Sequence, residues 1–274
     1  MSDIRIIHGD CLTVLQSMEA ASVDLVFCSP PYEAARTYGM GFDLRGQDWV
    51  DWCIPRYLEC LRVCRGLVAW VVEGQTKQYR YSAGPILLMA DLHRRGVHLR
   101  KPPAYKRVGI PGSGGPDWLR NDYEFVVCAT NGGKLHWSDN TAMGHTTKYP
   151  PGGNPSHRTK SGRRVMTRPR RGSRDNGTYS PPEKANPGNV IECHGGGGHF
   201  GSWLAHENEA PFPEKLAEFF VRSFCPPGGV VLDPFCGSGT TLAVAKRCGR
   251  GGIGIDIRET QTALTGKRLE EVAA

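Results

Sequence analysis

Ser29, Pro30, Pro31 and Tyr32 close an apolar run, "VDLVFC" from Val23 to Cys28, that reads as a buried strand. Two consecutive prolines fix φ and remove two backbone donors, so the strand stops there and the turn holds one shape. A carbonyl left without such donors, together with a small hydroxyl, can accept hydrogen bonds from an amino group, and an aromatic ring beside them can stack on a planar one. A stiff chain reversal packed by Tyr32 is the competing structural reading of the same four residues.

A second group lies near the other end of the chain. Asp233, Pro234, Phe235, Cys236, Gly237, Ser238, Gly239, Thr240 and Thr241 lead from a strand pattern into a helix pattern, and Asp256 ends the next strand 19 residues after Gly237. Glycines at a strand-to-helix turn let the backbone approach a ligand closely, and an acid at that distance can accept from ribose hydroxyls. A phosphate-binding P-loop requires a lysine before its hydroxyl residue, and "CGSGTT" has none. A dinucleotide turn requires a third glycine where this chain has Leu242. The pattern fits an adenosyl ligand without phosphate.

Both turns need strands that end at one edge of a sheet. The first 130 residues alternate accordingly: strand "IRIIHG", short helix "CLTVLQSM", strand "VDLVFC", helix from Trp49 to Arg65, strand "LVAWVV", helix from about Lys77 to Arg95, and strand "YEFVVCA". The alternation resumes with helix "FPEKLAEFFVRSF", strand "GVVLDPF", helix "LAVAKRC", strand "GGIGIDI" and a last helix from Glu259. This predicts an α/β fold with a parallel, Rossmann-like sheet assembled from residues 1–130 and 206–274. Residues 131–205, rich in Gly, Pro and basic side chains, read as an insert.

The net charge of +7 is concentrated in that insert: from Thr141 to Arg174 there are nine Lys or Arg residues and no acid. Such a stretch is a solvated loop in isolation and a counterion-releasing surface beside a polyanion, which points to nucleic acid. The basic residues singled out for it are Arg158, Lys160, Arg163, Arg164, Arg168, Arg170, Arg171 and Arg174. Neither a secretory leader nor an apolar run long enough for a membrane helix is evident, so a soluble, cytoplasmic protein is expected. Most of the ten cysteines fall in apolar segments and read as reduced core residues. Cys193, His194, His199 and His206 fit no compact zinc module, and no metal is expected.

With these motifs in place, the sequence resembles the β-class amino DNA methyltransferases that use S-adenosylmethionine. Ser29–Tyr32 resembles the family's S/D/N-P-P-aromatic element, and Arg36, Tyr38 and Gly39 resemble the "R-x-Y-G" that follows it, placing Arg36 at DNA. "HGDCL" is similar to the amino-terminal element near the adenine, with Asp10 and Cys11. "RNDYEFVVCATNG" resembles the family's late catalytic-half strand. "HENEAPFPEKLAE" resembles the element beside the methionine moiety, with Pro211 and Phe212, and "LDPFCGSGTT" the cofactor loop, with Ile257 following the acid of the next strand. The matches span about residues 4–130 and 206–260, with the catalytic motif ahead of the cofactor motif, a circularly permuted order.

The resemblance implies methyl transfer to the exocyclic nitrogen of a base flipped from duplex DNA, with residues 131–205 as the target-recognition region. Serine at the first motif position leans towards N4 of cytosine; N6 of adenine stays open, since Cys28 stands where cytosine enzymes commonly have threonine. Methylation at cytosine C5 would need a Pro-Cys nucleophile, and the chain has no such pair. A DNA-binding relic and an RNA or protein methyltransferase are the readings from other classes. The resemblance leaves room for a homodimer and for a cognate restriction endonuclease.

Overall fold

Every residue of the strand Val23–Cys28 is buried, and from Leu25 onward its side chains alternate: Leu25 and Phe27 enter one apolar cluster, Val26 and Cys28 another. Neighbouring side chains of a strand point to opposite faces, so this strand is covered on both. In a computed structural model describing residues 3–33, 41–109, 117–147, 156–166, 183–195 and 197–272, it lies inside a nine-stranded sheet. In chain order the elements are β1 (Ile4–His8), α1 (Cys11–Ser17), β2 (Val23–Cys28), α2 (Gly46–Val63), β3 (Cys64–Val72), β4 (Thr76–Lys77), β5 (Arg80–Tyr81), α3 (Gly84–Arg94), β6 (His98–Leu99), β7 (Ala104–Val108), β8 (Tyr123–Thr130), β9 (His145–Thr146), β10 (Ser156–Arg158), β11 (Arg164–Met166), β12 (Lys184–Ala185), β13 (Val190–His194), α4 (Glu214–Phe224), β14 (Val230–Asp233), α5 (Thr240–Arg247), β15 (Gly251–Asp256) and α6 (Glu259–Glu271).

The sheet runs β1-β15-β14-β2-β3-β8-β7-β13, with β6 also on β8. Its strands are parallel from β1 to β3, β8 is antiparallel to both β3 and β7, and β13 is parallel to β7. Helices α1, α2 and α3 pack one face through Leu15, Trp49, Tyr57 and Leu88, while α4 and α5 pack the other through Phe220 and Val244.

Parallel neighbours β14 and β2, with Leu232 opposite Val26, come from the two ends of the chain. From β2 the chain steps outward to β3, and from β14 it steps the other way to β15, so the strand order reverses between them. Open α/β sheets bind ligands outside the carboxyl ends of strands at such a reversal. Both motif turns leave from those two ends. Asp24 pins the junction, accepting from Arg65 Nε at 2.6 Å and from the Val230 amide at 2.9 Å. Burial pushes its carboxyl up, but these hydrogen bonds outweigh burial and hold it below the usual range.

The structure corrects three expectations. The helix expected from about Lys77 to Arg95 begins only at Gly84, with Pro85 in its first turn; Thr76–Tyr81 instead form a hairpin whose turn residues Gln78 and Tyr79 have φ of +50° and +62°. The helix expected from Trp49 to Arg65 is Gly46–Val63, and Arg65 already belongs to β3. The sheet expected to be parallel carries β8 antiparallel to both β3 and β7. The chain divides into two compact units, residues 1–139 with 188–274, and residues 140–187. Residues 190–194 pair with β7 in the main sheet.

Within the smaller unit β9 pairs with β12, and β10 with β11, where Arg158 stands opposite Arg164. Lys160 and Arg163 are exposed at the bend of the second pair. Arg36, Arg168, Arg170, Arg171 and Arg174 lie outside the described residues.

Candidate active site

The two turns line one cleft. Ser29, Pro30 and Pro31 contribute from the end of β2, and Pro234, Phe235 and Gly237 from the end of β14. Asp10 and Cys11 join from the end of β1, and Asp256 and Ile257 from the end of β15, while Phe42, Trp52, Arg56, Asn208, Ala210 and Arg258 complete the wall. The cleft measures about 860 Å³ with its open mouth included, within the size range of small-molecule sites.

At one end, Asp10 caps α1 by accepting from the Thr13 amide at 3.1 Å and pairs with Arg56 at 3.2 Å. Arg56 in turn lies 4.1 Å from the centre of the Trp52 ring. Asp256 accepts from the amides of Gly237 at 3.0 Å and Arg258 at 2.9 Å, one on each carboxylate oxygen. Each oxygen keeps a lone pair for a further donor, as a ribose diol requires. Gly237 adopts φ of +51°, and a Cβ there would meet the Asn208 amide at 2.9 Å, so the bare backbone at this turn is part of the cleft's shape. Apolar walls and an acid placed for hydroxyls suit S-adenosylmethionine. None of Arg56, Trp52, Asn208 and Arg258 was singled out by sequence.

The proline turn is held from behind. Buried Trp49 donates its indole N–H to the Pro31 carbonyl at 2.8 Å. The phenol of Tyr32 donates to Glu124 Oε2 on β8 at 2.7 Å, and Arg107 on β7 reaches Glu124 Oε1 at 3.4 Å. Burial pushes the Glu124 carboxyl up, and Tyr32 and Arg107 oppose that shift. The next residue, Glu33, is buried, and neither of its oxygens has a hydrogen-bond partner among the described residues.

Several residues expected at the ligand stand behind the wall. Asp233, Cys236, Ser238, Thr240 and Thr241 are buried, because the strand end and first helical turn carry their side chains into the core. Asp233 accepts from the Phe235 amide at 3.0 Å, and burial pushes its carboxyl up to about 7. Helix α6 braces the glycine turn: Thr265 donates to the Gly237 carbonyl at 2.8 Å, and buried Arg268 donates to Thr240 Oγ1 at 2.8 Å and to Glu214 at 2.9 Å. Gly239, with φ of +78°, faces Thr265. Pro211 and Phe212 are half-buried outside the cleft wall, with Phe212 edge-on to Phe27 at 5.4 Å between ring centres.

Residues 23–267 match the N6/N4 methyltransferase family, described as DNA methylase. The chain belongs to this family. The DNA adenine methyltransferase YhdJ of Escherichia coli (strain K12) is 26% identical over 270 residues, covering 97% of this chain and 82% of that protein. The type II methyltransferase M.ScaI of Streptomyces caespitosus is 25% identical over 283 residues, covering 99% and 83%. Among solved structures, the cytosine-N4-specific PvuII DNA methyltransferase superposes with a TM-score of 0.69 at 20% identity, covering 98% of this chain and 86% of that one. A putative DNA modification methylase of Thermus thermophilus complexed with S-adenosyl-L-methionine superposes with a TM-score of 0.59 at 24% identity, covering 99% and 95%. These likenesses show a shared methyltransferase fold.

The methylase uses S-adenosylmethionine to methylate an exocyclic amino nitrogen of a DNA base. Cys11, the cysteine in the cleft wall, is no activated thiol: burial pushes it up to about 11. All ten cysteines are unpaired, and nine are buried. Among the described residues no His, Cys, Asp and Glu side chains group as a metal site, and no helix is long and apolar enough to cross a membrane.

Proposed function

We propose that the methylase transfers its methyl group to N4 of cytosine in duplex DNA, with Ser29–Tyr32 holding the flipped base. The observation that carries this reading is the shared cleft, in which Ser29 and Pro30 line the same wall system as Gly237 and Asp256. When bound, S-adenosylmethionine supplies a methyl group already activated on a sulfonium. The chain's own residues then have to position it. The Pro30 carbonyl and the Ser29 hydroxyl accept hydrogen bonds from the amino group, drawing its lone pair out of conjugation with the ring, while Tyr32 stacks on the base. Asp256 accepts from the ribose, Asp10 serves the adenine end, and the glycine turn leaves room for both.

Ser29 supports cytosine, in line with the family's motif. Adenine N6 is the second reading, favoured by the DNA adenine methyltransferase that aligns with 97% of this chain, and chemically close because both bases present an amino group beside a ring nitrogen. Residues 140–187, with Lys160 and Arg163 exposed, serve in this reading as the DNA-recognition unit together with the other arginines of that stretch. Its partners are duplex DNA, a second copy of the chain and, given the type II relatives, a cognate restriction endonuclease; its place of action is the cytoplasm. Expression in a methylation-free bacterial host followed by single-molecule sequencing tests the reading. It predicts N4-methylcytosine at one defined motif, and N6-methyladenine there would replace it with the second reading.

A further inference from the structure

The β4–β5 hairpin is short, exposed and strained, and it stands beside the proline turn. Strand β3 is the parallel neighbour of β2, with Trp70 opposite Cys28, so the hairpin that follows β3 leaves the same sheet edge as Ser29–Tyr32. The helix α3 that follows the hairpin also approaches the residue after that turn. A Cβ on Gly84 would lie only 2.2 Å from Glu33 Oε1, so the start of α3 rests directly against the residue that follows Tyr32.

The base of the hairpin is tied down. Gln75 and Ser82 exchange hydrogen bonds, Gln75 N to Ser82 Oγ and Ser82 N to Gln75 O, both at 2.9 Å, and Tyr81 donates its phenol to Glu73 at 3.1 Å. Its tip is the opposite. Tyr79 is 88% exposed, between the exposed cations Lys77 and Arg80, neither of which has a carboxylate partner among the described residues.

Gln78 and Tyr79 both hold left-handed backbone, as two-residue hairpin turns require. Asn-Gly meets that requirement with little strain, whereas a tyrosine there is costly. A further left-handed residue, Ala83, follows, so three of the four non-glycine residues with positive φ among those described fall between 78 and 83. A large ring kept in solvent on unfavourable backbone, flanked by two cations that no described carboxylate meets, has the composition of a nucleic-acid contact rather than of a turn.

We propose that Thr76–Tyr81 is a DNA-contacting finger in which the Tyr79 ring stacks on a base exposed as the duplex opens, while Lys77 and Arg80 meet the flanking phosphates. This rests on the methylase's activity on DNA and adds a contact outside both the cofactor cleft and the basic unit. Kinetics of the full-length protein with tritiated S-adenosylmethionine and unmethylated genomic duplex from a methylation-free host test it.

Tyr79→Ala and Tyr79→Gly are expected to raise the KM for DNA at least about fivefold, with Tyr79→Phe close to wild type and cofactor affinity unchanged in all three. Glycine relieves the backbone, so Tyr79→Gly should keep the wild-type Tm while losing DNA, a combination that a merely structural tyrosine would not give. The double variant Lys77→Ala/Arg80→Ala should lower the slope of log KM against log salt by about 2. A wild-type KM for DNA in both Tyr79→Ala and Tyr79→Gly overturns the finger and leaves the activity standing; absence of transfer in the wild type itself would overturn both.

Discussion

Tyr32 donates its phenol to Glu124 Oε2 at 2.7 Å, across 92 residues of sequence, and so ties the proline turn to a strand two places away in the sheet. The carboxylate that receives this bond is itself buried and backed by Arg107. The ring proposed to stack on the base is therefore held at its far end, with its position set by β7 and β8 as well as by the two prolines.

Removing the ring and removing only its hydroxyl should separate stacking from anchoring. Tyr32→Ala is expected to lower methyl transfer by about 100-fold or more while leaving the Kd for S-adenosylmethionine unchanged, because the ring lies outside the cofactor wall. Tyr32→Phe keeps the ring but deprives a buried carboxylate of a donor, and should cost about 1–3 kcal/mol of stability with a smaller loss of transfer. Calorimetry, denaturant unfolding and a tritium transfer assay read the three quantities. Loss of cofactor binding in a folded Tyr32→Ala protein would move this residue out of the base pocket.

Arg56 connects Asp10 to the Trp52 ring in the cofactor cleft. Arg56→Met keeps much of the packing but leaves Asp10 without its charged partner, and the Kd for S-adenosylmethionine should rise roughly tenfold, the equivalent of about one charged hydrogen bond. Titration calorimetry checks it. An unchanged Kd would mean that Arg56 shapes the wall without supporting the ligand end.

Gly239 has no room for a side chain: a Cβ would come within 2.8 Å of Thr265 Cγ2, on backbone of positive φ. Gly239→Ala should lose about 1–3 kcal/mol of stability. Since Thr265 also holds the Gly237 carbonyl, the turn should shift, and the rise in Tm that the cofactor gives the wild type should shrink. Thermal melts with and without S-adenosylmethionine read both effects, and a full cofactor-induced rise in Tm would contradict the coupling.

The Asp233 carboxyl, raised by burial to about 7, predicts a pH-dependent stability. Between its ordinary value and about 7, the folded chain keeps the proton and the unfolded chain has lost it, so this group's contribution falls as pH rises through that window and levels off above it. Asp233→Asn removes the titration. Relative to wild type, the variant's Tm should improve progressively from pH 5 to pH 8; a difference independent of pH would show that Asp233 is not buried neutral.

Much of this site was legible because its chemistry sits in residues that also dictate local backbone. Pro30 and Pro31 end a strand wherever they stand, and Gly237 and Gly239 mark a turn that β-carbon sterics forbid to others. What the sequence hid depends on distant partners. Strand Ala104–Val108 buries only Tyr105, with Lys106 and Arg107 beside it, and pairs with Val190–His194, whose outward residues and glycine-rich surroundings mask its alternation. Arg56 and Trp52 look like an ordinary helix face until the fold brings Asp10 to them. The expected helix over Lys77–Arg95 extended the pattern of Ile86–Leu92 back across a hairpin, whose left-handed turn carries no glycine to announce it.

The identity of the base that receives the methyl group is the most direct test of the role given to Ser29–Tyr32. The purified methylase, incubated with unmethylated duplex DNA and isotopically labelled S-adenosylmethionine, should place the label on a single modified nucleoside after complete digestion and mass spectrometry. That nucleoside should be N4-methylcytosine, with the label reduced about 100-fold or more by Tyr32→Ala. Label on N6-methyladenine would contradict the role given to Ser29, and label on 5-methylcytosine would contradict direct transfer to an amino nitrogen altogether.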